Sequence, residues 1–207
     1  MIFPRPPLLL KTLTSGIVNW SVPVNEKCIY ITFDDGPIPE VTPWVLETLS
    51  AFDAKATFFC VGDNVNRNWD IYRQIISAGH RVGNHSFHHI KAWGTPKEAY
   101  LKDVEQAHKL INSRLYRPPH GQLTYPLIRA LRKDFSIVLW SVLAYDFDRS
   151  LKPEKCLAIL LKYTKPGNIV VFHDSLKAEP RLRYALPLFL KHFQSEGFVF
   201  RSLPETL

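Results

Sequence analysis

The residues of this chain with the most chemical potential are acids and imidazoles gathered in short runs. Asp34 and Asp35 close the apolar run Cys28-Ile29-Tyr30-Ile31-Thr32-Phe33 and are followed by Gly36-Pro37. Two carboxylates held close in a partly dry site repel, so one must take a proton or a cation must lie between them. His85-Ser86-Phe87-His88-His89 offers nitrogen ligands, with His85 and His89 four residues apart, a spacing that one turn of helix brings to the same side. With one carboxylate they complete a two-nitrogen, one-oxygen set that suits Zn²⁺ with a position open for water. Such an ion polarises an amide or ester carbonyl and acidifies water, the second carboxylate takes the water's proton, and His173 is available as acid for the leaving group. Each motif alone has an ordinary reading, since Asp-Asp-Gly-Pro is common turn chemistry and His-rich pentapeptides occur in surface loops. The elements around them decide between the two.

Cys28 to Phe33 reads as a strand covered on both faces and stopped by the Gly36-Pro37 turn, which leaves the two acids at its C-terminal tip. Further strands are expected near 56–61, 81–83, 115–116, 136–140, 168–172 and 198–200. Helical periodicity covers 41–52, 69–78, 96–111, 127–131, 153–163 and 183–194, with Thr95-Pro96 as cap and first residue of the third. Seven strands alternating with six helices predict a single α/β domain, a distorted (β/α)7-type barrel over 27–207, with 1–26 as an N-terminal extension packing on it. No glycine-rich phosphate fingerprint follows the first strand, which disfavours an open doubly wound sheet. The acids, the histidine cluster, Arg117, Asp146 and His173 all follow strands, and a β/α barrel builds its site on that face.

The chain has 207 residues and a net charge of +7, from 26 Lys plus Arg against 19 Asp plus Glu. The basic residues are scattered rather than clustered and no nucleic-acid motif is present, so they read as a solvated surface. Cys28, Cys60 and Cys156 lack metal-type spacing and read as core thiols. Leu8-Leu9-Leu10, closed by Lys11 and preceded by prolines, is too short for a secretion signal, and no run approaches the ~18 apolar residues of a membrane span. The expectation is a cytoplasmic protein, with cell-envelope association as the alternative and peripheral membrane contact open through Leu8 to Leu13.

Thr32-Phe33-Asp34-Asp35-Gly36-Pro37, His85-Ser86-x-x-His89, Arg117-Pro118-Pro119-His120-Gly121, Trp140 to Phe147, and Val171-Phe172-His173 resemble, in order, the five motifs of the polysaccharide deacetylase family, the NodB-homology enzymes of carbohydrate esterase family 4. The similarity runs from about Lys27 to about Leu203. It implies Asp34 as general base and Asp35, His85 and His89 as ligands of one divalent ion, Zn²⁺ first and Co²⁺, Ni²⁺ or Mn²⁺ as alternatives. Ser86 matches the hydroxyl that braces the histidine loop, and Arg117 the partner of the base. The His120 backbone N–H matches an oxyanion donor, Phe147 a wall of the substrate groove, His173 the general acid and Asp146 the carboxylate that orients it. The implied activity is removal of N-acetyl groups from an amino-sugar-containing glycan, peptidoglycan-like or chitin-oligomer-like, with release of acetate. An O-acetyl esterase, a deacylase of a non-polymeric substrate and an inactive glycan-binding protein are the alternatives. The chain departs from the family pattern at His120, usually Tyr; Leu143, usually an acid; Phe147, usually Trp; and Val171, usually Leu.

Overall fold

Strand β1 (Cys28–Asp34) is buried along its whole length and is the hub of the sheet. Its β-branched and aromatic side chains suit a strand covered on both faces. In the computed structural model, which describes residues 4–207, three strands pair with it in parallel. On one side β7 (Ile169–His173) runs beside Tyr30 to Asp34. On the other, β8 (Val199–Arg201) covers Cys28 to Tyr30 and β2 (Thr57–Cys60) takes over from Thr32. Beyond β2 come β3 (Arg81–Asn84), β4 (Leu115–Tyr116) and β5 (Ser136–Ile137), and beyond β7 comes β6 (Val142–Leu143).

The strand expected over 136–140 is thus strand only at Ser136–Ile137, and a further short strand, Val142–Leu143, lies at the opposite end of the sheet. The chain crosses between them over 138–141, and residues 19–21 seal this seam. The Asn19 amide donates to the Ile137 carbonyl, the Leu139 amide donates to the Asn19 carbonyl, and the Ser141 hydroxyl donates to the Trp20 carbonyl. The barrel is therefore distorted at one place, where loop backbone replaces a ladder.

Eight α-helices lie among the described residues: α1 (Leu8–Leu13), α2 (Thr42–Ala51), α3 (Gly62–Arg67), α4 (Trp69–Ser77), α5 (Lys97–His108), α6 (Tyr125–Leu131), α7 (Pro153–Tyr163) and α8 (Glu179–Ser195). Periodicity predicts neither α1 nor α3; α3 is polar except for Val65 and buries little. Helix α5 starts one residue later than expected, because Pro96 is extended, with φ −54° and ψ 139°, and no side chain caps it. Helix α8 starts four residues before the expected Arg183, opened by Glu179-Pro180, where proline's missing N–H costs nothing. It lays Phe189 against Phe172, which stacks on Phe33, and Phe33 stacks on Phe58 with ring centroids 4.9 Å apart. This aromatic column anchors the strands whose tips carry the site, and truncating a buried Phe to Ala typically costs ~3–5 kcal/mol. The three cysteines are free and buried, as their apolar settings predict. No described helix is long and apolar enough to cross a membrane.

Candidate active site

At the tip of β1 the backbone turns through Asp35, whose φ is +84°, so that Asp34 and Asp35 both reach one cavity. Asp34 is nearly fully buried, and its Oδ1 accepts from Arg117 Nη1 at 2.6 Å. Arg117, just past β4, is completely buried. Its guanidinium also donates to Thr32 Oγ1 and the carbonyls of Val138 and Leu139, and lies 4.0 Å from the centre of the Phe59 ring. Burial pulls the guanidinium below its usual range, and the ion pair with Asp34 opposes that pull. A cation held on five sides fixes the position of the carboxylate it faces.

Asp35, His85 and His89 form the one His/Cys/Asp/Glu cluster among the described residues able to hold a metal ion, each offering a ligand atom within 4.8 Å of the others. Asp35 Oδ1 lies 3.4 Å from His89 Nε2 and 3.9 Å from His85 Nε2. His85 Nδ1 lies 2.7 Å from the Arg117 carbonyl, which can only accept, so Nδ1 carries the proton and Nε2 presents its lone pair to Asp35. Burial, then repulsion from His89, holds His85 well below the usual histidine range, against the pull of Asp35, which keeps the ring neutral as a ligand must be. The donor set fits a divalent ion of the zinc type.

The helical turn that the His85–His89 spacing suggests does not form. Ser86 and His89 take left-handed backbone, φ +63° and +54°, and the loop folds back so that the two rings sit 5.0 Å apart. The Ser86 hydroxyl, expected to brace this loop, is buried without a hydrogen-bond partner among the described residues. The residue braces through its backbone instead: its amide donates to Asn84 Oδ1 and its carbonyl accepts from the Gly62 amide. The main clamp is Asp103 on α5. It accepts from the amides of Phe87 and His88 and stands 2.5 Å from His88 Nδ1. Asp103 was invisible in the sequence, because beside Lys102 and Glu105 it reads as part of a solvated helix face.

Across the cavity His173, at the end of β7, pairs with Asp146. Nδ1 lies 2.7 Å from Oδ1, and the His173 amide donates to Oδ2. Burial alone would lower the imidazole, but the Asp146 charge and hydrogen bond, with Asp35 and Asp34, outweigh it and push the group up to about 9. Phe147 packs edge-on against His173, and Lys177, a residue the motifs did not point to, stands over the Phe147 ring. His120 takes left-handed backbone, φ +58°, and sets its ring against His89. His173, Phe147, Lys177 and His120 line, with the two acids and the metal-type histidines, a cavity of about 230 Å³ that Trp140 and Leu143 complete.

Asp174 does not cap the segment after it, as its position suggests, but reaches back to the β1–α2 turn. Its oxygens accept from the Gly36 amide and the Thr42 hydroxyl. Only glycine fits at 36, since a Cβ there would lie 2.0 Å from the Asp174 carboxylate. Burial, reinforced by Asp35 and opposed by the Thr42 and Gly36 hydrogen bonds, pushes Asp174 up to about 8.

The sequence profile of the polysaccharide deacetylase family matches residues 21–134. The chain belongs to that family. It is 34% identical to a peptidoglycan-N-acetylglucosamine deacetylase of Bacillus cereus, over 97% of this chain and 98% of that one. It is 30% identical to a chitooligosaccharide deacetylase of Azorhizobium caulinodans, over 87% and 94% of the two chains. A crystal structure of a peptidoglycan N-acetylglucosamine deacetylase in complex with 4-naphthalen-1-yl-N-oxidanyl-benzamide superposes with a TM-score of 0.88 at 25% identity, covering 98% of this chain and 97% of that one. This polysaccharide deacetylase is accordingly a hydrolase of carbon–nitrogen bonds other than peptide bonds.

Proposed function

We propose that the protein removes N-acetyl groups from glucosamine residues of a peptidoglycan-like or chitin-oligomer-like glycan. One observation carries this reading: the Asp35–His85–His89 triangle, the Arg117-paired Asp34 and the Asp146-paired His173 face a single cavity. A divalent ion held by Asp35, His85 and His89 would supply Lewis acidity toward the amide carbonyl and lower the pKa of water. Asp34, held in place by Arg117, takes the proton of the attacking water. The His120 amide donates to the oxygen that gains charge as the carbonyl carbon becomes tetrahedral. His173, protonated through its pairing with Asp146, gives its proton to the departing amine, and the carbon–nitrogen bond breaks to leave acetate and a free amino sugar.

The test is acetate release from short N-acetylglucosamine oligomers, with chelated protein compared against the same protein after Zn²⁺ is returned. Activity is expected to vanish and come back. Asp34→Asn is expected to keep the metal and lose turnover, and His85→Ala to lose both. Silence in the reloaded protein with Zn²⁺ measurably bound would refute the reading in favour of a different acyl substrate or a glycan-binding role.

A further inference from the structure

Among the described α-helices, α1 alone has no buried residue. A helix of a globular protein ordinarily lays its apolar stripe on the core. Here Leu8, Leu9 and Leu13 are 79%, 71% and 70% exposed. At 3.6 residues per turn, these three and Leu10 spread over about half of the helix circumference. Six residues are too few to hold a helix by propensity alone, and this one is tied down at its two ends. Before it, the Pro4 carbonyl accepts from the Leu143 amide; after it, the Thr14 hydroxyl accepts from the Trp20 indole at 2.9 Å. The fold therefore fixes α1 in place while leaving its leucines in water.

The polar groups around these leucines are either satisfied within the helix or positive. The Thr12 and Thr14 hydroxyls turn back and donate to the Leu8 and Leu10 carbonyls, at 3.1 and 2.7 Å. Arg5 and Lys11 flank the leucines as one basic patch, close enough that the Arg5 charge adds to burial in lowering the Lys11 amine. No Asp or Glu precedes Glu26 in the sequence, and Glu26 is engaged by Arg201. A cavity of about 330 Å³ beneath α1, with Arg5 and Leu10 in its lining, has no carboxylate on its wall among the described residues.

An exposed apolar helix flanked by cations, with no anion beside it, has the chemistry of a segment that lies in the headgroup layer of an anionic bilayer. A second copy of the chain fits less well. A two-fold interface sets a patch against itself, so Arg5 and Lys11 would face their own copies. We infer that α1 docks the protein on a bilayer surface that carries anionic lipid. Leu8, Leu9 and Leu13 enter the interface, and Arg5 and Lys11 meet the headgroup phosphates. The cavity beneath α1 adjoins the catalytic cavity across a common wall of His120, Gly121, Trp140 and Leu143. Docking through α1 thus holds the catalytic cavity beside the membrane surface, where a glycan attached to that surface comes within reach.

The test is sedimentation of the full chain with unilamellar vesicles of phosphatidylcholine, alone or mixed in equal parts with phosphatidylglycerol. The mixed vesicles are expected to bind at least about tenfold more tightly, since each of two basic side chains contributes about a factor of five at an anionic surface. Leu9→Ser combined with Leu13→Ser is expected to lower binding to the mixed vesicles at least about tenfold. Arg5→Gln combined with Lys11→Gln is expected to bring it down to the level of the neutral vesicles. Because Leu9 and Leu13 are exposed, the serine variant should melt at the parent's temperature, which separates lost docking from lost fold. The readout needs no turnover, so it stands or falls apart from the deacetylase reading. Binding to neither vesicle would overturn the inference, as would equal binding to both, or binding that survives the serine variant. A dimer in light scattering that dissociates in the serine variant, with no vesicle binding, would assign the leucines to a second copy and overturn it too.

Discussion

Arg117 is the residue whose removal tests the architecture of the site most directly. It is fully buried, and Asp34 beside it is almost so. Replacing it by methionine fills much of the same volume but strips Asp34 of its cation and leaves the Val138 and Leu139 carbonyls and the Thr32 hydroxyl each short of a donor. Breaking a buried ion pair by deleting one partner costs ~3–5 kcal/mol, because the remaining charge stays desolvated. For a chain of about 200 residues, that loss lowers Tm by roughly 6–20 °C. The double variant Arg117→Met with Asp34→Asn removes both charges and should recover part of the loss, giving a coupling of about 2–3 kcal/mol in a cycle measured by urea unfolding followed with circular dichroism. Additivity of the two substitutions within ~0.5 kcal/mol would refute the view that this pair holds the carboxylate in place.

Asp103→Asn should weaken the clamp on the histidine loop and lower metal affinity at least about tenfold, read by competition with a coloured chelator; unchanged affinity would mean the loop holds its shape without the charge. Because His173 must be protonated to serve the departing amine, kcat should fall as pH rises through about 9, and Asp146→Asn should move that limb down toward the ordinary ~6.5. The stability the His173–Asp146 pair confers has the same sign, complete below ~6.5 and lost as pH climbs past about 9, so pH-dependent melting should follow it. Asp174 is raised as well, to about 8, so the folded state holds a proton that the unfolded chain gives up near ~4; stability should decline from pH 4 to 8 and Asp174→Asn should flatten that slope.

What could be read from the sequence was whatever sits in one contiguous run. The β1 strand with its two acids, the paired histidines, Arg117 and His173 each announce themselves locally, and strand order then collects them on one face. The bracing contacts could not be read, because they join distant segments. Asp103 holds a loop that ends fourteen positions earlier, and Asp174 ties down a turn 138 positions away. The conformation of the histidine loop was hidden for another reason. Ser86 and His89 adopt positive φ without being glycine, and nothing in their side chains marks them for it. The early end of the strand expected over 136–140, and the new edge strand at 142–143, depend on residues 19–21, which carry no periodicity of their own.

The position of β1 between β7 and β8 has a consequence for how the chain is made. A strand synthesised near the beginning finds partners that come last: Thr32 bonds to Val170, 138 residues on, and Cys28 to Tyr30 wait for Val199 to Arg201. Contacts of such separation slow folding, since a long loop must close before any reward is collected. Until β8 leaves the ribosome, this part of β1 has an open edge of aromatic and branched residues, the kind of edge that recruits another copy. Strand β8 is therefore the stopper that closes this edge of β1.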